Sequence, residues 1–468
     1  KAIQDFLKAH STEYHGITAD NDSTMTGGIK IAIDAWNGQY QFKDKDGKYI
    51  DGVVGNFDYK QYDYNGEDGK TYKFFDALWK LSVKTDGNTY GGPNGTGKTT
   101  AEANSIHDIF YTFISNAEQL NGIQHYAEKS PYGPSGTNEF NILNANFLLK
   151  NDIDASSLMG ADGKTTYETI ARGEGQSYTG TFDGLGNRII GLTAKKGLIA
   201  NNGGNVRNME IYSSVFTGQD AGAVASNNSG DISNVIGLGN SITGTGSIGG
   251  MVGLNHGSMS NLEDQSTIIA GDSTIAGGIA GTNEGSISNV QTNSATTTNI
   301  TEGAKKASNM GGIVGINRTS WADTGIKNAS AHGVTGKEKF TETAGGIAGT
   351  NTGTISEAYN ESVLNGSSGI GGIAGINQND ESSSEVKKIA SISNVANAME
   401  IIGDAGSQNV GGLVGNQQSG TISDGRNTGT ISGGENVGGM VGINGKKSTL
   451  NNLENGSVAK ITGVRNVG

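Results

Sequence analysis

The chain has 468 residues and a formal net charge of −13, and 77 residues are glycine, well above the roughly 7% of an average protein. The acidic balance argues against a protein that coats nucleic acid or an anionic membrane surface. The lack of cysteine excludes disulfide staples and thiol catalysis. No apolar run approaches the roughly 18 residues that a membrane-spanning helix needs.

The first part of the chain, residues 1–104, is rich in aromatic residues. All three prolines (Pro93, Pro131 and Pro134) precede residue 150, as do most Phe, Tyr and Trp residues. Each buried ring removes a large apolar area from water, so this composition predicts an ordinary globular core of α+β or all-β type. The segment indicates no particular family.

An acidic stretch in this region, DKDGKYIDG at residues 44–52, is typical of a calcium-binding loop. Asp44, Asp46 and Asp51 are the candidate ligands, because calcium prefers oxygen donors at alternating positions. Lys48, however, occupies a ligand position, and a distal glutamate is missing. An acidic hairpin turn is therefore the favoured interpretation, and calcium is the alternative.

A second motif in the region, GGPNGTGKTT at residues 91–100, fits the phosphate-binding loop G-x-x-x-x-G-K-[ST] at Gly92, Gly97, Lys98 and Thr99. Such a loop follows a buried strand, opens a helix and is accompanied by an acidic magnesium ligand. Polar residues precede this one, and no suitable acid follows it. We interpret the match as a coincidence in a glycine-rich sequence, and we expect a flexible loop.

Residues 105–195 are predicted to form a lead-in of helix and strand. Its apolar residues recur at helical spacing and predict a helix at Ile106, Ile109, Phe110, Phe113 and Ile114. Short apolar runs follow, and they are separated by Asn, Asp and Gly turn residues.

Residues 196–468 contain a glycine–aliphatic–glycine repeat, whose strong copies start 26 to 40 residues apart. After most copies comes an Asn, then a polar turn and a second short run such as Ser286–Val290 (SISNV). The strong copies begin at Gly249, Gly277, Gly311, Gly345, Gly371, Gly411 and Gly438. Low-complexity disorder does not keep aliphatic positions in phase in this way.

This pattern predicts a parallel β-helix, or β-solenoid, in which each repeat forms one coil of two or three strands. Alternation is expected to send Ile, Val, Leu and Met inward and Ser, Thr and Asn outward. The glycine pair has two possible uses: tight-turn dihedral angles, or room for a neighbouring backbone. No proline follows Pro134, which suits an unbroken hydrogen-bonded ladder.

The last residues, Asn466–Gly468, copy the opening of the strong repeats. We therefore expect further coils of the same polypeptide beyond residue 468, because a solenoid that ends inside a repeat leaves an unpaired edge.

The repeats resemble the GLUG motif of bacterial secreted proteins. The lead-in, with Phe147–Ala155 (FLLKNDIDA) and Tyr178–Asn187 (YTGTFDGLGN), is similar to the segment that often precedes such repeats. The resemblance covers roughly residues 105–468. It implies a surface-exposed parallel β-helix of the kind found in filamentous-haemagglutinin-like adhesins, which are exported by two-partner or autotransporter routes. Similar repeats also occur in the non-catalytic part of immunoglobulin-A-specific metallopeptidases.

These observations favour a structural or adhesive segment of a large bacterial surface or secreted protein, located outside the cell. The expected partners are a surface protein or glycan of the host or of bacteria, with self-association as a further possibility. A polysaccharide-acting β-helix enzyme is the main alternative, and a non-catalytic metallopeptidase region is another. Such an enzyme needs carboxylates or basic residues stacked at matching offsets on adjacent coils, whereas Glu284, Arg318 and Lys327 are expected not to line up. We therefore expect no catalytic residue and no cofactor other than the alternative calcium.

Overall fold

A computed structural model describes residues 53–58, 63–65, 71–73, 78–85, 88–89, 110–129, 142–159, 163–271, 273–298, 307–318, 325–337, 341–381, 389–457 and 459–468. Within these residues the protein is mostly β, with one α-helix, α1 (Ala117–Lys129), and two 3-10 turns, Ile142–Asn144 and Ser156–Leu158. None of the helical segments described is long and apolar enough to span a bilayer. The predicted mostly β fold is thus confirmed.

The described strands fall along the whole chain. The first group is β1 (Val53–Asp58), β2 (Asp63–Asn65), β3 (Thr71–Lys73), β4 (Leu78–Thr85), β5 (Asn88–Thr89), β6 (Phe110–Ile114), β7 (Asn146–Leu149), β8 (Ile153–Asp154), β9 (Thr181–Asp183), β10 (Arg188–Ile190) and β11 (Thr193–Lys195). The second group is β12 (Ile199–Asn202), β13 (Asn205–Tyr212), β14 (Val215–Gln219), β15 (Ala225–Asn228), β16 (Asp231–Thr245), β17 (Ser247–Gly249), β18 (Val252–Asn255), β19 (Ser258–Ala270), β20 (Ile275–Gly277), β21 (Ala280–Asn283), β22 (Ser286–Thr298) and β23 (Ala307–Gly311). The third group is β24 (Val314–Asn317), β25 (Gly325–Lys337), β26 (Thr341–Gly345), β27 (Ala348–Asn351), β28 (Thr354–Gly371), β29 (Ala374–Asn377), β30 (Ser391–Asn397), β31 (Ile401–Gly411), β32 (Val414–Asn427), β33 (Ile431–Gly438), β34 (Val441–Asn455) and β35 (Ile461–Val467).

The chain divides into two compact units. The first comprises Lys1–Ile189 with Gly204–Glu210, and the second comprises Ile190–Gly203 with Ile211–Gly468. Each unit has its own strand arrangement.

The first unit changes from antiparallel to parallel pairing along the chain. Strand β4 pairs antiparallel with β1 and β6, and β6 then pairs parallel with β7, and β7 with β9. The predicted helix through Phe110–Ile114 is wrong, because this segment is strand β6. Its backbone hydrogen-bonds to strands on both sides, and this pairing outweighs the helical spacing of its apolar residues.

Helix α1 begins after this strand, at a reciprocal cap. Asn116 accepts a hydrogen bond on Oδ1 from the backbone N–H of Gln119 at 2.9 Å. Gln119 in turn accepts one on Oε1 from the N–H of Ser115 at 2.6 Å. Two backbone donors near the helix start are satisfied in this way, which stabilises the first turn. The helix then buries Leu120 and Ile123 in the core of the unit.

Three aromatic residues form the centre of the first unit. Phe147, Tyr178 and Phe182 are fully buried, and the Phe147 ring lies 6.1 Å, centroid to centroid, from each of the other two. The hydroxyl of Tyr178 donates to the carbonyl of Ala145 at 2.9 Å, so burial leaves its polar group bonded. Such ring pairs add about 1 kcal/mol each beyond the area they bury.

The first unit also holds a buried ion pair between Asp183 and Arg207, whose Oδ2 and Nε atoms are 2.9 Å apart. Asp183 is fully buried and accepts further hydrogen bonds from the N–H of Leu185 and from Asn208. Desolvation raises the pKa of Asp183 above its usual value, and Arg207 and the hydrogen bonds oppose this rise.

Replacing Arg207 by methionine is expected to lower the free energy of unfolding by about 3 kcal/mol at neutral pH, because a buried carboxylate loses its counter-ion. The folded-state pKa of Asp183 is raised, so the folded chain takes up this proton more readily than the unfolded chain. The penalty should therefore shrink as pH falls from 7 towards 4. Urea unfolding of the unmodified protein and of the Arg207→Met variant between pH 7 and pH 4 measures this penalty. A penalty independent of pH would contradict the role of Arg207 as the counter-ion of Asp183.

The second unit is a parallel β-solenoid, as the repeat predicted. One coil contains β15, β16 and β17, and each of these pairs in parallel with its equivalent in the next coil, β18, β19 and β20. Equivalent residues are 22 to 40 positions apart in sequence. The repeat is therefore defined by pairing rather than by constant length.

The interior of the solenoid is built from small aliphatic residues. The aliphatic residue after the glycine pair is completely buried in six of the seven strong copies, at Met251, Ile279, Ile313, Ile347, Ile373 and Leu413, and Met440 of the last copy is half-buried. The equivalent residues earlier in the chain, Leu198 and Val224, are also completely buried. A second cluster, which includes Leu364, Ile370, Ile401 and Val410, is buried to the same degree near the C-terminal end. The predicted inward placement of aliphatic residues is thus confirmed.

The structure decides between the two possible uses of the glycine pair. Neither glycine of any strong pair has a positive φ. A Cβ atom added at Gly250, Gly278 or Gly312 would lie closer than 3.0 Å to the carbonyl oxygen of the equivalent glycine in the next coil. The pair therefore allows close approach between stacked backbones and does not serve as a left-handed turn.

The Asn that ends each short strand lies inside the solenoid, so the prediction that asparagines face outward is wrong at this position. Each side chain amide donates to the next coil's amide oxygen over 2.7–2.9 Å. The ladder runs through Asn202, Asn228, Asn255, Asn283, Asn317, Asn351, Asn377 and Gln417, all of them at most 1% exposed. Stacking satisfies the polar groups of each amide without water, and this makes the buried position favourable.

A longer connection follows Asn377 and leads to strand β30, which begins at Ser391. Its ends are held together because Asn379 Oδ1 accepts from the backbone N–H of Ala390 at 2.9 Å. Asn379 N–H also donates to Ser419 Oγ in the next coil at 2.8 Å. The chain therefore leaves the coil and returns to it at one point, and the pairing continues.

Candidate functional site

The long strands of the second unit share one bend, and a column of residues marks it. The recurring SISNV-type run places a residue with φ between 48° and 55° at this bend, at Asn234, Asn261, Asn289, Asn328, Glu357, Asn394, Asp424 and Asn452. Asn is, after Gly, among the residues that most readily adopt this conformation. The bend lets Ile232 and Val235 both point inward while Asn234 between them faces solvent.

Four of these bend asparagines form an exposed ladder. Asn261 donates through Nδ2 to Asn234 Oδ1 at 3.1 Å, Asn289 donates to Asn261 at 3.2 Å, and Asn328 donates to Asn289 at 2.8 Å. This ladder differs from the buried one because it is open to solvent along its length. We call these four residues the bend ladder.

A groove of about 480 Å³ runs beside the bend ladder. Its lining comprises Asn234, Ile236, Asn261, Leu262, Glu263, Asn289, Val290, Gln291, Asn328 and Ser330. Strand register places Ile236, Glu263, Gln291 and Ser330 at one outward position of four successive coils, and Tyr359 occupies the same position in the next. Ile236 is 40% exposed and Tyr359 is 46% exposed.

The groove is close to neutral. Glu263 is the one ionisable side chain among its ten lining residues, and its Oε1 accepts a hydrogen bond from Gln265 at 2.7 Å. Lys327 precedes Asn328 in the sequence, and its Nζ atom lies 3.6 Å from Oε1 of Glu357. The arrangement presents amide donors and acceptors together with apolar surface, and this is the chemistry of a binding site for polar, uncharged molecules.

A second groove, of about 530 Å³, has a different character. It is lined by Thr352, Gln378, Asn379, Asp380, Glu381, Gln418, Ser419, Lys446 and Lys447. Lys447 Nζ lies 2.8 Å from Glu381 Oε1, and the hydrogen bond to that carboxylate raises the pKa of Lys447. Its charged groups are largely exposed side chains, so they define no fixed geometry.

The expectation that Glu284, Arg318 and Lys327 do not line up is wrong for Glu284 and Arg318, whereas Lys327 has Ser288 and Ser356 as its register partners and stands apart from them. Glu284 and Arg318 follow paired residues of the buried ladder, and their side chains meet at 3.4 Å. His256, one coil earlier, lies 3.2 Å from the same carboxylate, and Lys327 faces Glu357. The Glu284–Arg318 and Lys327–Glu357 contacts are opposite-charge pairs on the surface, each contributing on the order of 0–1 kcal/mol, and none of the contacts joins two carboxylates.

The site residues proposed from sequence lie outside the described part of the chain. This applies to the phosphate-loop match at Gly92, Gly97, Lys98 and Thr99. It applies equally to the calcium candidates Asp44, Asp46 and Asp51. In the part that the structure does describe, no three His, Asp or Glu side chains are grouped so that they could hold a metal ion.

The bend ladder was missed by sequence reasoning, although a signal was present. The runs around Asn234, Asn261 and Asn289 each place Asn just before an aliphatic residue. Reading these asparagines as ordinary turn residues concealed that they stack on one another. The fold and the groove together define a parallel β-solenoid with a solvent-facing amide ladder.

Comparisons with known proteins give limited matches. The chain is 31% identical over 156 residues to halomucin of Haloquadratum walsbyi, a segment that is 30% of this chain and 2% of that protein. It therefore spans a small fraction of the length of that relative. No family model matches the chain, and the resemblance to GLUG-repeat exoproteins stays a prediction.

Two solved structures share some similarity with the chain. One is a candidate immunoglobulin A1 protease from Bacteroides ovatus, with a TM-score of 0.39 and 18% identity, covering 61% of this chain and 74% of that one. The other is an IgA1 protease, with a TM-score of 0.36 and 15% identity, covering 85% of this chain and 26% of that one. At these scores neither similarity carries an argument about function.

Proposed function

We propose that this chain is a structural and adhesive segment of a large secreted or cell-surface protein. The observation that carries the proposal is the stack of register-matched coils, which presents the same outward position on one coil after another. Such a scaffold has an interior of buried aliphatic residues and amide ladders, and its repeated exterior columns suit multivalent contact. The similarity to a small part of halomucin, whose name marks it as a mucin, supports a location outside the cell.

The proposed partners are surface glycans or proteins of host or bacterial cells, and the proposed role is binding without catalysis. The composition of the groove supports this, since it holds a single carboxylate, Glu263, among its lining residues. Glycoside hydrolysis generally uses two carboxyl groups that flank the bond to be cleaved. The same composition speaks against the alternative of a polysaccharide-acting β-helix enzyme.

An adhesion assay tests the proposal. Beads coated with the full 468-residue chain are expected to be retained on at least one of three surfaces: bacterial cells, epithelial cells or mucin-coated glass. Soluble chain should compete for this retention and reduce it in a saturable manner. Retention no greater than that of albumin-coated beads on all three surfaces would remove the adhesive role and leave only a spacer.

A further inference from the structure

We propose that the groove beside the bend ladder binds a neutral, extended oligosaccharide that lies along the stack of coils. This inference rests on the proposed function, because it assigns the ligand class of one exterior face of that scaffold. It concerns a site of defined residues, and it can therefore fail while the adhesive role persists.

The amides of the bend ladder are suited to sugar hydroxyl groups. Within the ladder, Asn261 and Asn289 each use one N–H and one oxygen lone pair to bond their neighbours. A side chain amide carries two N–H donors and two acceptor lone pairs. Each of these two asparagines therefore has a further donor and a further acceptor to offer, and a sugar hydroxyl can accept from one and donate to the other.

The ladder also holds these amides in position before a ligand arrives. Each is fixed by hydrogen bonds in both directions and by a left-handed backbone that the stack repeats from coil to coil. Binding then orders few side chains, and the conformational entropy lost on association is small.

Apolar surface next to the ladder suits the C–H faces of sugar rings. Ile236 lies at one end of the outward column and Tyr359 continues it by one coil past Ser330. Both are among the exposed large hydrophobic residues of the protein, at 40% and 46%. A sugar ring has an apolar C–H face and polar hydroxyl groups at its edge. The tyrosine ring can pack on that face while its hydroxyl group bonds a sugar hydroxyl.

Charge selects a neutral ligand over an anionic one. The ten lining residues include no Lys, Arg or His, and Glu263 contributes the only formal charge. The nearby Lys327 is paired with Glu357 at 3.6 Å, and the whole chain carries a net charge of −13. A sulfated or uronic acid polymer would therefore meet repulsion here and no counter-charge.

The backbone of the groove favours a saccharide over an extended peptide. An added peptide strand binds by pairing with an unpaired sheet edge. Strands β19 and β22, which carry the middle of the groove, are paired with neighbours on both sides. They offer no such edge, so recognition here depends on side chains.

Spacing predicts that the ligand is a chain of sugars. Neighbouring strands of a sheet are about 4.8 Å apart, so the four amides of the bend ladder extend over about 14 Å. One ring can contact a single step of this ladder, whereas an extended oligomer contacts several. Affinity should therefore increase with the number of sugars.

Isothermal titration calorimetry of the full chain tests the assignment with β-1,4-linked hexamers and dimers of glucose and of N-acetylglucosamine. At least one hexamer is expected to bind, with a Kd at least ~10-fold lower than that of its dimer, since each additional hydrogen-bonded contact is worth about a factor of five and a hexamer makes several. A heparin-derived hexasaccharide and a 12-residue Gly/Ser peptide should give no binding heat.

The double variant Asn261→Gly and Asn289→Gly removes both central amides and leaves the bend intact, because glycine accepts positive φ without strain. We expect it to weaken hexamer binding at least ~10-fold, and Tyr359→Ala to weaken it by several-fold. Asn394→Gly is the matched control, since Asn394 occupies the same bend on a coil outside the groove. The Asn394→Gly variant should bind the hexamer with the same affinity as the unmodified chain. Unchanged circular dichroism spectra should show that all variants fold.

Three results would overturn the assignment: no binding of any neutral hexamer, equal binding by the double variant, or binding of heparin or the peptide in preference. If any of these occurs while coated beads still adhere, the groove assignment fails and the adhesive role stands. If hexamers bind in the groove but beads adhere to no surface, the adhesive role fails and the groove assignment stands.

Discussion

Replacing Gly312 by valine is expected to lower the free energy of unfolding by about 5 kcal/mol or more, which is an exceptional loss for one residue. A Cβ at this position would lie closer than 3.0 Å to the carbonyl oxygen of Gly346 and to Cβ of Ala331. The carbonyl of Gly346 is backbone of the next coil, and Ala331 lies on strand β25. The stacked strands must separate to admit the side chain, and the ladder hydrogen bonds around them are lost.

Urea unfolding followed by circular dichroism measures this loss. Long repeat stacks do not unfold in a single step, so hydrogen exchange at residues 311–315 and 345–349 should be recorded as well. Gly406→Val is the matched control, because a Cβ there meets only the Asp404 side chain, at 3.5 Å, and Gly406 is exposed. Equal unfolding midpoints for the two variants would show that the glycine pair is not needed for close approach.

Replacing Asn283 by leucine is expected to cost about 5 kcal/mol, because it breaks the buried ladder near its middle. Asn283 Nδ2 donates to Asn317 and to the carbonyl of Gly285, and its Oδ1 accepts from Asn255 and from the N–H of Gly285. Leucine makes none of these four bonds. It leaves buried polar groups above, below and beside it without partners, at about 1–3 kcal/mol each.

The chain itself offers the control for this variant. Gln417 occupies the ladder position in its own coil, where it accepts from Asn377 at 2.9 Å and donates to the carbonyl of Ser419 at 2.9 Å. The ladder therefore tolerates a longer amide, and Asn283→Gln should retain most of the stability that Asn283→Leu loses. Comparable losses for both, measured by urea unfolding, would indicate that side chain shape matters here and that the amide hydrogen bonds do not.

The solenoid could be predicted from sequence because its signal repeats. In six of the seven strong copies the aliphatic residue after the two glycines, such as Ile279 or Ile313, is buried. A single copy resembles many short strands, but seven strong copies in phase identify one architecture. Alternation failed at Asn283 and its equivalents. A rule that sends polar residues outward takes no account of amides that satisfy one another.

The lead-in could be predicted less well. Phe110–Ile114 has helical spacing, yet it pairs as a strand with partners 30 to 35 residues away in the sequence, one before it and one after it. Helix α1 begins three residues later, where Asn116 caps it. Helical spacing is a property of residues close together in the sequence. Strand pairing depends instead on distant segments that the fold places next to the strand.

The groove could not be predicted from sequence, although the recurring asparagines that line it are visible there. Asn261, Asn289 and Asn328 are separated by 28 and 39 residues, and intervals of this length vary along the chain. Whether they stack depends on how each insertion closes, as Asn379 and Ala390 show for one of them. The same uncertainty concealed the pairing of Glu284 with Arg318, 34 residues apart.

The amino-acid sequence alone was sufficient for the mostly β class, the parallel coils and the aliphatic interior, because these follow from local alternation and from a pattern that recurs. The tertiary structure was needed to show that the glycine pairs make room for neighbouring backbones. It was needed also to show that one asparagine column is buried and another exposed. The physical reason is that these properties belong to contacts between coils. They depend on the register that the whole stack adopts and not on the residues beside them in the chain.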